Sequence, residues 1–300
     1  MINGIINVYK EKGYTSHDVV AKMRGILKMK KIGHTGTLDP DATGVLPVCM
    51  GKATKLVDMI TDKDKTYEAV LKLGITTDTQ DITGKILKTT EVTVTYEQIE
   101  EVIKSYIGEY LQLPPMYSAI KVDWKKLYEL ARQGIEIDRE RRKVTIKDIR
   151  ILGYSKEEQE VSISVDCGKG TYIRTLSHDI GETLGCGGTM KSLIRTAVGY
   201  FHIEKALKLS EIEELVREEL LESYIMPTDK IFESYSKLNV DQEFHKLIYN
   251  GNSFRKEHTI QPLQEVTTEL IRVYDAEDEF IAIYRYDTED DLYKPVKMFL

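Results

Sequence analysis

Gly33-His34-Thr35-Gly36-Thr37-Leu38-Asp39-Pro40-Asp41-Ala42-Thr43-Gly44-Val45-Leu46-Pro47 decides how this chain of 300 residues is read. Three glycines and two prolines in so short a run exclude a regular helix or a central strand. The run carries a histidine and two acids and leads into an apolar segment, Val45 to Met50. Pro40 biases Asp39 toward extended geometry. A carboxylate on a stiff, glycine-flanked loop at the lip of a core element is a common way to present a catalytic acid. An Asp-Pro turn on a structural loop would show the same residues. On residue content alone the two readings are level.

Other chemistries that use such residues fail on position. Asp39-Pro40-Asp41-Ala42-Thr43 fits the D-x-D-x-T pattern of aspartyl-phosphate enzymes, but that chemistry needs an apolar strand delivering the first Asp. Here the approach is Gly33-His34-Thr35-Gly36-Thr37. A calcium loop starting at Asp39 would need a bidentate Glu where Met50 stands. Gly51-Lys52 lacks the earlier glycine and the following Ser or Thr of a P-loop. The six histidines show no metal-ligand spacing, so no metal is expected.

Composition sets wider bounds. A hydrophobic fraction of 41% and a charged fraction of 30% are ordinary for a soluble globular protein. The length suits one large domain, or one of about 200 residues plus a smaller one. No apolar run approaches the ~18 residues of a membrane span, and Met1-Ile2-Asn3-Gly4 does not begin a secretory signal. Cys49, Cys167 and Cys186 are odd in number and widely spaced, which reads as buried reduced thiols in a cytoplasmic protein.

The net charge of −7 argues against a nucleic-acid partner until its distribution is considered. Residues 204–300 hold 12 basic and 22 acidic side chains, which leaves 30 and 27 of the 42 and 49 in residues 1–203. The first part is therefore +3 and the second −10. Lys22, Arg24, Lys28, Lys30 and Lys31 come without an acid among them. Lys121, Lys125, Lys126 and Arg132 form a second group, and Arg139, Arg141, Arg142 and Lys143 a third. Each alone would be a solvated face. Three of them flanking one candidate site favour a phosphate-bearing substrate.

Periodicity places the elements. Ile5 to Tyr9 reads as a strand, Lys10 to Gly13 as a turn, and Ser16 as the cap of a helix through about Lys28. Ala53 to Thr61 reads as a short helix and Thr66 to Leu73 as a strand. Thr95 with Gln98 is a capping box, opening a helix with Ile99, Val102, Ile103, Tyr106 and Ile107 on one face. Val144 with Ile146, and Val161, Ile163 and Val165, alternate as strands. Ile173 to Leu184 fits a helix, and Ser210 with Glu213 caps another through Leu221. Beyond Pro227, short β-rich runs (Leu270 to Tyr274, Phe280 to Tyr286) alternate with acidic turns, as in a small β module that starts near residue 230.

Further polar, glycine-rich loops stand against strands, and with the opening run they form an ordered set. Gly33 to Pro47 is followed by Lys65-Thr66-Tyr67, then Gly74 with Thr77-Asp78-Thr79-Gln80-Asp81-Ile82-Thr83-Gly84. Pro115-Met116-Tyr117-Ser118-Ala119-Ile120-Lys121 comes next, then Gly170-Thr171-Tyr172-Ile173-Arg174-Thr175-Leu176 and Leu193-Ile194-Arg195-Thr196. In this order the motifs resemble the TruB-type tRNA pseudouridine synthases over about residues 3–230.

The resemblance implies an isomerase that converts the uridine at position 55 in the tRNA T-arm to pseudouridine. It implies an α/β (α+β) pseudouridine synthase fold with a mixed, largely antiparallel central sheet in residues 1–230. Residues 231–300 stand in the place of a PUA-like RNA-binding domain. Asp39 would be the catalytic aspartate, Tyr67 the aromatic beside the target base, and Arg174 the partner of the aspartate. His34 would hold the flipped arrangement, Tyr172 and Leu193 would line the pocket, Lys12 would grip phosphate, and Asp78 would contact substrate. No cofactor, DNA, membrane or guide RNA is implied, and a monomer is expected. A relative working with guide RNA and protein partners is disfavoured by the lack of basic extensions. A pure RNA-binding protein is disfavoured because it has no need of the Asp39, Tyr67 and Arg174 set.

Two features depart from the pattern. Asp123-Trp124 replaces an expected Asn-Gly turn; Trp fits left-handed geometry badly, so a loop of different shape is expected there. The lone Trp124 either packs down or offers a stacking surface. The acidity of the C-terminal module weighs against extensive phosphate contact, although Arg255 and Lys256 follow the Asn250-Gly251 turn.

Overall fold

A computed structural model describes residues 2–118, 120–122, 124–261 and 270–300. Ala119 and Asp123, both in stretches singled out above, lie outside the described residues, as do the side chains of Lys121 and Lys126. The elements in chain order are β1 (Gly4–Lys10), α1 (Ser16–Leu27), β2 (Ile32–His34), β3 (Thr43–Met50), α2 (Val57–Thr61), β4 (Lys65–Leu73), β5 (Ile75–Thr77) and β6 (Ile86–Thr89). Then come α3 (Tyr96–Ser105), β7 (Gly108–Gln112), β8 (Lys121–Val122), β9 (Lys125–Lys126), α4 (Leu127–Arg132), β10 (Arg142–Ser155), β11 (Glu160–Cys167) and α5 (Ile173–Thr183). The last are β12 (Gly188–Val198), β13 (Phe201–His202), α6 (Leu209–Arg217), β14 (Lys237–Asn239), α7 (His245–Tyr249), β15 (Leu270–Tyr274), β16 (Phe280–Asp287) and β17 (Leu292–Met298).

The main sheet runs β1-β3-β12-β4-β11-β10-β7, with β2 added to β3 and β13 to β12. All its pairings are antiparallel except β3 with β12, which meet in parallel through Thr43 and Gly44. Strand β4 shows why the sheet buries one face. Tyr67, Ala69, Leu71 and Leu73 point into the core, while Glu68 stays exposed. Helices α3 and α5 cover that face with Ile99, Ile103, Ile173, Leu176 and Ile180. Each such side chain removed from water contributes about 1.5–3 kcal/mol. Glycine sets the helix-to-sheet distance, because a Cβ on Gly181 of α5 would fall 2.1 Å from the Gly188 amide nitrogen. Val19, Val20 and Met23 of α1 and Ile212 of α6 pack with Ile6, Val8, Leu46 and Val48 in a separate cluster.

The second sheet, β14-β15-β16-β17, joins the first through aromatic packing. Phe232 lies 5.7 Å from Phe299 and 6.1 Å from Phe280, ring centre to ring centre, in a cluster that also holds Ile5, Val45, Leu56 and Ile60. The three cysteines are buried and unpaired. No described helix is long and apolar enough to cross a membrane.

Several local expectations need correction. Thr15, not Ser16, caps α1, through a capping box with Asp18. Ser16 is buried and turned toward the loop at Leu38. Residues 51–56 form a 3₁₀ turn before α2. Helix α6 starts at Leu209 with Lys208 as its cap, and it stops at Arg217. The opening run is strand at both ends, in β2 and β3, with a true loop only over residues 35–42. Trp124 lies between β8 and β9 at φ +69°, so it adopts the left-handed geometry that tryptophan fits badly, and Asp123 beside it lies outside the described residues.

Candidate active site

The loop over residues 35–42 is tied down from every side. The Thr35 amide and hydroxyl both donate to the Pro47 carbonyl, at 3.1 and 3.2 Å. The Leu38 amide donates to the Ser16 hydroxyl at 2.9 Å. The Ala42 amide donates to the Asp39 carbonyl at 3.1 Å, closing a turn with Pro40 in its second position. The next carbonyl, of Pro40, accepts from the Gly13 amide at 2.9 Å and from the Lys10 ammonium at 3.1 Å. Lys10 is fully buried and also donates to the carbonyls of Glu11 and Tyr14, at 3.2 and 2.6 Å. Burial lowers its pKa to about 8, against the opposing pull of the Asp39 and Asp41 charges.

Past the turn, Gly44 has φ +106°, and a Cβ there would lie 2.2 Å from the Arg195 carbonyl oxygen. Only glycine lets β3 approach β12 this closely. Arg195 itself is buried, donating to the carbonyls of Val45 at 2.7 Å and Gly36 at 3.4 Å. Its guanidinium thus fastens both arms of the loop.

Helix α5 brings Arg174 to the carboxylate that this loop presents. Its Nε lies 2.9 Å from one Asp39 oxygen and its Nη2 lies 3.3 Å from the other, a two-pronged contact. Nη2 also donates to the Tyr117 carbonyl at 2.8 Å and Nη1 to that of Thr79 at 3.4 Å. Asp81 stands 3.7 Å from Nη1. Arg174 is only 6% exposed, whereas the Asp39 side chain is 38% open. Burial raises the Asp39 pKa, the Arg174 charge opposes that rise, and Asp81 adds to it.

The remaining predicted site residues fall at different depths. Tyr67 and Leu193 are buried in one cluster with Leu38 and Ala42, at the base of the loop. Burial raises the Tyr67 pKa, with Arg195 pulling it the other way, so the phenol is neutral at physiological pH. Tyr172 caps α5, its amide donating to Gln112 at 2.8 Å and its carbonyl accepting from Gln112 at 3.0 Å. His34 ends β2, edge-on to His17 at 5.7 Å, with Nδ1 buried and lacking a hydrogen-bond partner. Burial lowers its pKa, which favours the neutral imidazole. Lys12 is exposed and lies 3.7 Å from Asp41. Asp78 is exposed and accepts the Lys85 amide at 2.7 Å, so Asp81 rather than Asp78 reaches Arg174. Lys10, Asp81 and Arg195 are the contributors that sequence reading passed over. Asp81 and Arg195 carried a signal, each by its place within a quoted motif, and Lys10 carried none.

Comparison with known families fits this arrangement. The model of the TruB family pseudouridylate synthase N-terminal domain matches residues 24–173. The model of the tRNA pseudouridylate synthase B C-terminal domain matches residues 174–233. The chain belongs to the TruB family. It is 58% identical over 307 residues to the tRNA pseudouridine synthase B of Lachnoclostridium phytofermentans, covering 100% of both chains. It is 48% identical to that of Alkaliphilus oremlandii over 99% of this chain and 97% of the relative. Among solved structures, a Cbf5-Nop10-Gar1 complex aligns with TM-score 0.72 and 28% identity, over 99% of this chain and 85% of the other. An H/ACA RNP bound to a substrate RNA containing 2′-deoxyuridine aligns with TM-score 0.71 and 25% identity, over the same shares.

One cluster in this TruB chain has the geometry of a cation site. Among the described residues, ligand atoms of His245, Asp275 and Glu277 converge. They are engaged in shaping a turn: Asp275 accepts from the Glu277 and Glu279 amides and from the Tyr249 hydroxyl, and His245 accepts the Ala276 amide.

Proposed function

We propose that the chain converts uridine 55 in the T-arm of tRNA to pseudouridine, acting without guide RNA or protein partner. Residues 1–230 form the catalytic domain, and residues 231–300 a PUA-like accessory domain. One observation carries the reading: the Asp39 carboxylate is held at two points by a nearly inaccessible arginine, yet it keeps over a third of its own surface open. A group fixed and reachable in this way suits attack on, or stabilisation of, a carbon that loses its leaving base. The full-length likeness to synthases named for tRNA supports the substrate class.

The reaction breaks the C1′–N1 bond, forms a C1′–C5 bond, releases the C5 proton and protonates N1, so the uridine is only rearranged. Arg174 keeps Asp39 ionised and aimed while the base turns. Tyr67 gives the uracil a neutral aromatic wall with a phenol shielded from water by burial. Tyr172 and Leu193 line the same pocket, and neutral His34 stands at the loop end, where the uridine must leave the RNA stack at a cost of about a few kcal/mol. Lys12 and the basic clusters of residues 1–203 contact phosphate. The test is the purified protein with a T-arm stem-loop carrying C5-tritiated uridine and no other macromolecule. Release of stoichiometric tritium is expected; none would refute the proposal.

A further inference from the structure

Trp124 is the chain's one tryptophan, and at 93% it is the most exposed large hydrophobic side chain among the described residues. It sits at the tip of the β8–β9 hairpin, whose backbone pairs are Lys121 with Lys126 and Val122 with Lys125. At φ +69° its Cβ is crowded by its own backbone, a conformation that glycine or asparagine adopts far more readily. The position therefore breaks two rules at once, a large apolar surface in water and a bulky residue in the left-handed region. Local violations that a fold tolerates together point to function.

The hairpin is rooted at the candidate active site. The Tyr117 carbonyl accepts from Arg174, the Tyr128 amide donates to the Ser118 carbonyl at 3.1 Å, and the Leu127 amide donates to the Ile120 carbonyl at 2.8 Å. Seven residues from Tyr117 to Trp124 span at most about 25 Å, so the tip stays near any RNA that delivers a base to Asp39. Residues 121–143 hold eight basic and five acidic side chains in a chain of net charge −7. That local balance complements a polyanion. An exposed aromatic face among cations is how single-stranded nucleic acid is held, base on ring and backbone on charge.

We infer that Trp124 is a stacking platform for an unpaired base of the RNA substrate, one flanking the base that enters the pocket. It binds and positions, and takes no part in bond breaking. The inference rests on the proposed RNA substrate. Because no other tryptophan is present, emission excited at the red edge of tyrosine absorption reports on Trp124 alone. Titration of the full-length protein with the T-arm stem-loop should quench that emission saturably. W124G should weaken RNA binding by roughly 5- to 150-fold, W124F should keep most of the affinity, and kcat at saturating RNA should match the wild type. The melting temperature of W124G should be equal or higher, since glycine relieves the backbone crowding. Unchanged emission in a protein that still turns over the stem-loop, or wild-type affinity in W124G, would overturn the inference and leave the proposed function standing. Saturable quenching without turnover would overturn the function and keep the RNA contact; neither signal would overturn both.

Discussion

Replacing Arg174 with glutamine removes the charge beside Asp39 while keeping a side chain of similar reach. Two charge-assisted hydrogen bonds to the carboxylate, at 2.9 and 3.3 Å, are lost. Breaking a buried ion pair costs about 3–5 kcal/mol, but the 38% of the Asp39 side chain open to water screens part of that. That figure concerns folding; for the rate, losing donors preorganised on the reacting carboxylate costs about 2–4 kcal/mol in the transition state, a fall of about 30- to 900-fold in the single-turnover rate. The pH profile should move as well. Burial already raises the Asp39 pKa and Arg174 opposes the rise, so removing Arg174 raises it further. The carboxyl then takes its proton at a higher pH, and the acid limb of the rate profile shifts upward. Single-turnover tritium release across a pH series reads both effects. An R174Q rate within a few-fold of wild type, with an unmoved acid limb, would refute the reasoning.

Three further outcomes follow from the packing and charge. Lys10→Met should cost about 1–3 kcal/mol by leaving buried carbonyls without their donor. It should also remove a pH dependence: the folded Lys10 pKa of about 8 lies below the 10.5 of an exposed lysine, so wild type binds fewer protons folded than unfolded across that window and gains stability there relative to the variant; denaturant melts at several pH values check both. Gly181→Ala should destabilise by about 1–3 kcal/mol or more, because its Cβ would meet the Gly187–Gly188 backbone, and an unchanged melting temperature would contradict the close contact. RNA affinity should fall steeply with salt despite the negative net charge, with a log–log slope of about −4 or steeper if five or more phosphates are contacted; a flat response would mean that the basic clusters do not touch RNA.

What was legible in the sequence was the local signal. The Thr95–Gln98 capping box and the alternation from Tyr67 to Leu73 each carry their own evidence, and both elements form where expected. Strand β12 escaped because its period is broken. Register shifts at Met190/Ser192 and Arg195/Ala197 disrupt the alternation, and Lys191, Ser192 and Arg195 interrupt the apolar run. Its central place comes from β3 and β4, which are distant in sequence. Lys10 and Arg195 escaped for a related reason. Cations beside apolar residues read as surface, and only the fold shows that each is buried to hold loop carbonyls. Asp78 and Asp81 are equivalent in composition and differ only in which of them the turn aims at Arg174. At Trp124 the chemical argument about φ was sound, and the chain adopts the disfavoured geometry all the same.

The central claim is that Asp39 performs the chemistry and does more than shape a turn. Asp39→Asn keeps the size and the Asp39 main-chain bonds while removing the charge. With C5-tritiated T-arm stem-loop, the variant should bind RNA within a few-fold of wild type and release no tritium above background. Substantial release by Asp39→Asn would contradict the account.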